Sequence, residues 1–159
     1  MPRSIGHITV AAVGRLRERH WLAAQDEYSR RLSNYTDFQL IEVKDAVGKG
    51  LPDPVAMVRE GEQLLAAAPR GARLITMSPE GQQMSSPALA EYLRSRLETY
   101  GQLAFLIGGP VGFDAAVISA AHERLALSQL TFTHELARIV LLEQLYRAFT
   151  ILHGEPYHK

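Results

Sequence analysis

The stretch Leu106-Ile107-Gly108-Gly109-Pro110-Val111-Gly112-Phe113 decides how the rest of this chain is read. The apolar run Leu103 to Ile107 breaks off at two glycines, a proline and a third glycine. Such a run predicts a buried strand, and such a turn leaves backbone N–H and C=O groups bare at the strand's carboxyl end. In open α/β sheets that edge is where ligands bind. Glycine allows backbone angles and close approaches that a Cβ forbids, while Pro110 fixes the exit direction and removes one donor. Taken alone, the turn predicts a small-molecule pocket or a tight structural turn.

Working outward, strand and helix patterns alternate. Ile5 to Val13 reads as a first strand ending at Gly14, and Arg17 to Leu32 as a helix with Trp21, Leu22, Tyr28 and Leu32 inward. Phe38 to Val43 is a second strand, and Lys44 to Pro54 is a loop. Asp53-Pro54 predicts an N-cap and first turn of a helix to about Ala68. Arg73 to Met77 is a third strand, closed by Ser78-Pro79-Glu80-Gly81 as a turn. Ser86-Pro87 opens a helix to Tyr100, stopped by Gly101. Beyond the glycine turn, Asp114 caps a short helix to Ala121, and Arg124 to Leu127 forms a short fifth strand. Ser128 to Thr133 is a polar loop, and His134 to His153 a long final helix halted by Gly154 and Pro156. Alternation of this kind predicts an α/β fold: a mostly parallel sheet flanked by helices, one domain over residues 1–159.

Composition narrows the chemistry. There is no cysteine, which excludes disulfides, zinc-thiolate sites and a cysteine nucleophile on pyrimidine carbon. No apolar run approaches the roughly 20 residues of a membrane helix, and no apolar segment follows Met1-Pro2-Arg3-Ser4, so neither membrane insertion nor a signal peptide is expected. A cytoplasmic location fits both. His7, His20 and His122 lack ligand spacing, and His153 and His158 straddle a helix stop, so no metal is expected. Seventeen basic and seventeen acidic side chains leave no net charge, whereas free-standing nucleic-acid binders usually carry a basic excess. Arg15, Arg17 and Arg19, with Arg30 and Arg31, still form a local basic cluster, either a solvated helix face or an RNA contact. The last helix is apolar around most of its circumference, from Ile139 to Leu152. Either the domain wraps it or a second subunit covers its outer face, and a dimer is the stronger expectation.

Three blocks, in order and spacing, carry a family resemblance. They are Leu106 to Gly112; Leu127-Ser128-Gln129-Leu130-Thr131-Phe132-Thr133-His134; and Leu141-Leu142-Glu143-Gln144-Leu145-Tyr146-Arg147-Ala148-Phe149, closing on Gly154-Glu155-Pro156-Tyr157-His158-Lys159. Ala12-Val13-Gly14 and Ile41-Glu42-Val43-Lys44 fit as well. Together they resemble the ribosomal RNA large subunit methyltransferase H family over nearly the whole chain. The resemblance implies a SPOUT-type homodimer with a C-terminal trefoil knot, a topology that connection rules alone would not suggest. It implies transfer of a methyl group from S-adenosylmethionine to N3 of a pseudouridine in large-subunit (23S) rRNA on the assembled ribosome.

By position, the resemblance puts Met77, where relatives usually have Leu, and Gly109 against the cofactor. Ser128, Gln129, Leu130, Thr131, Phe132 and Thr133 fall in the loop that wraps it. Thr133 stands where many relatives have proline. Arg147, Tyr157 and His158 match the end implicated in substrate binding and catalysis. Histidine's reference pKa, about 6.5, lies near working pH, so His158 is the base expected to take the N3 proton. Without the resemblance, His158 reads as a free tail histidine, Tyr157 as packing on its own helix, and Arg147 as an ion pair with Glu143. His134 reads as a cap or packing residue. The shared last helix and the resemblance together imply that one subunit's tail meets the other's pocket. Two rival functions remain open: a nucleotide- or flavin-binding α/β module, and a non-catalytic ribosome-associated dimer.

Overall fold

A computed structural model describes residues 5–159; the Met1-Pro2-Arg3-Ser4 stretch lies outside the described residues. The elements run β1 (His7–Val13), α1 (Arg19–Leu32), β2 (Asp37–Val43), α2 (Asp53–Ala67), β3 (Arg73–Gln83), α3 (Ser86–Tyr100), β4 (Gln102–Ile107), α4 (Ala115–Ala120), β5 (Glu123–Ala126) and α5 (His134–Leu152). The strands pair in the order β2-β1-β4-β3-β5, every neighbouring pair parallel. This is the α/β architecture expected from the alternation.

Parallel strands covered on both faces read as continuous apolar runs, and β1 and β4 do so. Ile8, Val10, Ala12, Leu103, Phe105 and Ile107 face a core shared with α1, α3 and α5, whereas Ala11, Val13, Ala104 and Leu106 face a smaller core under α2 and α4. Each large side chain buried there contributes about 1.5–3 kcal/mol. The inner face of α5 (Leu141, Leu142, Leu145, Ala148 and Phe149) is buried between α1 and α3. The domain therefore wraps one half of α5, and its other half, including Leu136 and Val140, stays partly open.

Three local expectations are corrected. Ser78-Pro79-Glu80-Gly81 does not end β3. The strand passes through an irregularity between Met77 and Gln82 and pairs again with β5. Gly81 makes this possible, because a Cβ there would lie 2.5 Å from the backbone carbon of Leu125. Pro52, not Asp53, is the N-cap of α2; its carbonyl accepts from Val55 and Ala56, and Asp53 places its charge in the first turn. Thr133, not His134, caps α5, its hydroxyl accepting from Leu136 N–H at 3.3 Å. Asp114 caps α4 as expected.

Candidate active site

The parallel register brings Met77, Ile107 and Ala12 side by side at the carboxyl edge of the sheet. A cavity of about 950 Å³ opens there, at the upper end of what small-molecule sites occupy. One wall is the glycine turn after β4. Gly112 has φ of 84°, and its N–H donates to Gly109 O at 3.1 Å, closing the turn. Gly109 is needed for closeness rather than angle: a Cβ there would meet Glu60 Oε1 at 3.0 Å and Val13 Cγ1 at 3.3 Å. Glu60 is buried on α2. Its Oε2 accepts from Ala46 and Val47 N–H at 2.8 and 3.2 Å, while Oε1 has no partner among the described residues.

The facing wall is the loop between β5 and α5. Ser128 Oγ accepts from Leu130 N–H at 3.0 Å, a local turn that holds the loop without regular structure. Ser128, Leu130, Thr131, Phe132 and Thr133 line the cavity, with Met77 beneath them. Of the residues expected at the cofactor, Gln129 is the exception: it is exposed and does not line the cavity. The floor also holds residues that sequence reasoning missed: Thr76, Ser78, Pro79 and Glu80 on either side of Met77, and Phe113 and Ile118 beside the turn. The Ser78 hydroxyl donates to Glu80 and holds that rim carboxyl below its usual range. His134 reaches Glu135 at 2.6 Å, and both lie at the cavity mouth. The rim is apolar and open, with Leu130 72% exposed and Ile118 45%.

Arg147, Tyr157 and His158 form a second cluster. Arg147 pairs with Glu143 at 2.5 Å, which raises the guanidinium's pKa, and lies 4.8 Å over the Tyr157 ring. Tyr157 OH donates to Glu143 at 3.1 Å, and its ring meets Tyr146 edge-on at 4.7 Å. Burial first, then hydrogen bonding to Tyr28 and the Glu143 charge, pushes the Tyr157 phenol well above its ordinary value. His158 is half-buried, its Nδ1 accepting from Arg147 Nη1 at 3.3 Å. The Arg147–Glu143 pair and the packing of Tyr157 on its own helix are present as expected, whereas His158 is not a free tail residue but lies against Arg147. Within one subunit, however, the cluster is displaced along α5 from the cavity: the helix rises about 15 Å from Ala137, which lines the cavity, to Arg147.

The chain that carries the glycine turn, the loop and the tail is similar in sequence to known proteins. A family model described as "Predicted SPOUT methyltransferase" matches residues 7–158. The chain belongs to the SPOUT methyltransferase family. It is 46% identical over 152 residues to a ribosomal RNA large subunit methyltransferase H of Anaeromyxobacter dehalogenans (strain 2CP-C), covering 96% of this chain and 99% of that relative. It is 45% identical over 147 residues to a protein of the same name from Geotalea uraniireducens (strain Rf4), covering 92% and 95%. A third, from Ruminiclostridium cellulolyticum, is 38% identical over 160 residues, covering 96% and 99%. Among the described residues of this SPOUT chain, no helix is long and apolar enough to cross a membrane, and no cluster of three His, Asp or Glu side chains is placed to hold a metal ion.

Proposed function

We propose that this chain is a single-domain, cytoplasmic homodimer that methylates N3 of a pseudouridine in large-subunit rRNA on the assembled ribosome, using S-adenosylmethionine. The observation that carries the reading is the cavity between the Gly108–Gly112 turn and the Ser128–Thr133 loop. Its volume, bare main-chain groups, hydroxyls and apolar Met77, Leu130 and Phe132 suit a ligand with a polar adenosine and a methionine arm whose methylenes flank the sulfonium. The relatives' shared name supports rRNA as substrate.

When bound, S-adenosylmethionine supplies a methyl group already activated on sulfur, so the protein's work is position, desolvation and proton removal. The bond from N3 to the methyl carbon forms as the carbon–sulfur bond breaks, and the N3 proton leaves to a base. Neutral His158, accepting at Nδ1, carries its own proton on Nε2. Arg147 moving to a pyrimidine carbonyl frees the Nδ1 lone pair, which takes the N3 proton. Tyr157 offers an aromatic face for stacking. Because this cluster stands about three turns of helix from its own cavity, a two-fold pair is the arrangement that would bring it to a cavity, that of the partner. The exposed apolar rim at Leu130, Ile118 and Leu136 is surface that such a pair would cover.

Calorimetry of the purified chain against S-adenosylmethionine, ATP and a flavin is expected to show binding of the first alone. Flavin or ATP binding in its place would turn the reading toward another α/β ligand module. Mass analysis of large-subunit rRNA from cells lacking the chain should show one missing methyl on a pseudouridine, restored when the chain is returned. An unchanged methylation map, with the protein still ribosome-bound, would favour a non-catalytic dimer.

A further inference from the structure

The chain carries no net charge, yet its cations are unevenly matched. On α3 and at the far edge of the sheet arginines are neutralised: Arg94 by Glu91 and Glu98, Arg73 and Arg96 by Glu123. The local cluster read in the sequence divides the same way. Arg30 and Arg31, at the end of α1, share Glu27. Arg15, Arg17 and Arg19, at its start, make no ion pair among the described residues, and neither does Lys44 across the sheet edge; all four are exposed.

These cations stand on loops that are held, not free. Between Arg15 and Arg17, Leu16 is 2% exposed, and its N–H donates to Glu42 Oε2 at 3.0 Å. The same oxygen accepts from Arg138 at 2.6 Å, and Arg138, 1% exposed, also donates to Gly14 O at 2.9 Å. A buried arginine on α5 thus fixes the β1–α1 loop with Arg15 and Arg17 outward on either side of Leu16. Glu60 fixes the β2–α2 loop in parallel, through Ala46 and Val47. The loops are neighbours. The Asp45 carboxyl is held below its ordinary range first by Lys49 and, less strongly, by the charge of Arg17. Both loops start or are anchored beside the cavity wall, because Gly109 stands against Val13, the last residue of β1, and against Glu60 of α2, which holds the β2–α2 loop. Glu18 and Asp45 are the opposing charges on these loops, and Asp45 is tied to Lys49, so a net positive charge remains.

We infer that Arg15, Arg17, Arg19 and Lys44 form a pre-organised basic ledge that takes the phosphodiester backbone of the rRNA beside the cavity. The inference rests on the functional reading above and adds where the substrate lies. It offers a source of RNA affinity in a neutral chain: Arg30, Arg31, Arg73, Arg94 and Arg96 are held in internal pairs and Arg59, Arg70 and Arg124 are exposed singly on separate elements, whereas the ledge cations face solvent as a group. Guanidinium and ammonium groups on fixed loops lose little freedom on meeting phosphates, and the counterions they release make binding depend on salt.

The test compares the full-length wild type with R15Q/R17Q/R19Q and with R70Q/R94Q as a charge control away from the ledge. Binding to ribosomes is measured from low to moderate salt, with methylation and S-adenosylmethionine calorimetry in parallel. The ledge variant is expected to keep its cofactor affinity and thermal melt. Its ribosome Kd should rise on the order of tenfold, and the slope of log K against log salt should shrink by about two to three. The control should match wild type. Protein-free large-subunit rRNA should compete with ribosomes for the wild type and poorly for the ledge variant. An unchanged Kd and salt slope in an otherwise active ledge variant would overturn the ledge. Failure of rRNA to compete would overturn RNA phosphate as its partner. Ribosomes that the wild type neither binds nor methylates would overturn the functional reading, and the ledge with it.

Discussion

The two ends of α5 are built on opposite principles. At its amino end, the Thr133 cap and the Ser128–Thr133 loop border a cavity made largely of main chain, small residues and apolar side chains. At its carboxyl end, Glu143, Arg147, Tyr157 and His158 interlock through charge and rings. The first end suits holding a ligand by shape. The second suits moving a proton and gripping a pyrimidine. The stretch of helix between the cavity and the cluster keeps the two apart in one chain.

The division of labour predicts separable losses. His158→Ala should lower methylation by roughly 10²–10⁴-fold, the range of a positioned acid or base, with cofactor affinity unchanged by calorimetry. Normal turnover in that variant would remove proton transfer from the tail. Subunit sharing is sharper still. T131W fills the cavity, H158A disables the tail, and each homodimer should be inactive. After subunit exchange, half the dimers are mixed, each with one intact cavity facing one intact tail, so about a quarter of wild-type activity should return. Mixed dimers that form and stay inactive would show that each subunit serves itself.

Gly109→Ala probes the cavity end alone. Its Cβ would press on Glu60 Oε1 at 3.0 Å and Val13 Cγ1 at 3.3 Å, and neither neighbour is free to swing away. Cofactor affinity should fall about tenfold, near 1.4 kcal/mol, with the rate at saturating cofactor close to wild type. A fall in rate at unchanged affinity would move Gly109 from holding the ligand to shaping the reaction.

The same contrast decides what was legible in the sequence. Burial on both faces makes β1 and β4 unbroken apolar runs, and glycine or proline punctuates their ends, so strands and helices are readable within a residue or two. The β3 extension is not, because Ser78-Pro79-Glu80-Gly81 has a turn's composition and only Gly81's contact with β5 keeps it a strand. Glu60 and Arg138 are also invisible to a local pattern. A charged residue in a helix reads as outward-facing until its partners are known, and these partners lie on Ala46, Glu42 and Gly14, elsewhere in the chain. Gln129 shows the converse: membership of a loop motif does not say which way a residue lies. The functional grouping of cavity loop and tail came from family likeness, since no periodicity links two sets of residues separated by a long helix.

Glu123 supplies the smallest expected effect and a control for both ends. It opens β5 with its side chain 15% exposed, accepting from Arg96 at 2.7 Å and Arg73 at 3.1 Å. Burial alone would raise its pKa, but the two guanidinium groups outweigh it and hold the carboxyl at about 2. A folded-state value below the unfolded value of about 4.3 means the stabilisation is complete above that pH and drains away as pH falls toward 2. Since both arginines are partly solvated, E123Q should cost on the order of 1–2 kcal/mol at pH 7, read by urea unfolding, and the gap to wild type should narrow steadily below pH 4. Cofactor affinity and methylation should stay at wild-type values at neutral pH, because Glu123 faces neither end of α5. A gap that persists undiminished at pH 2.5 would mean that Glu123 stabilises by packing rather than by charge.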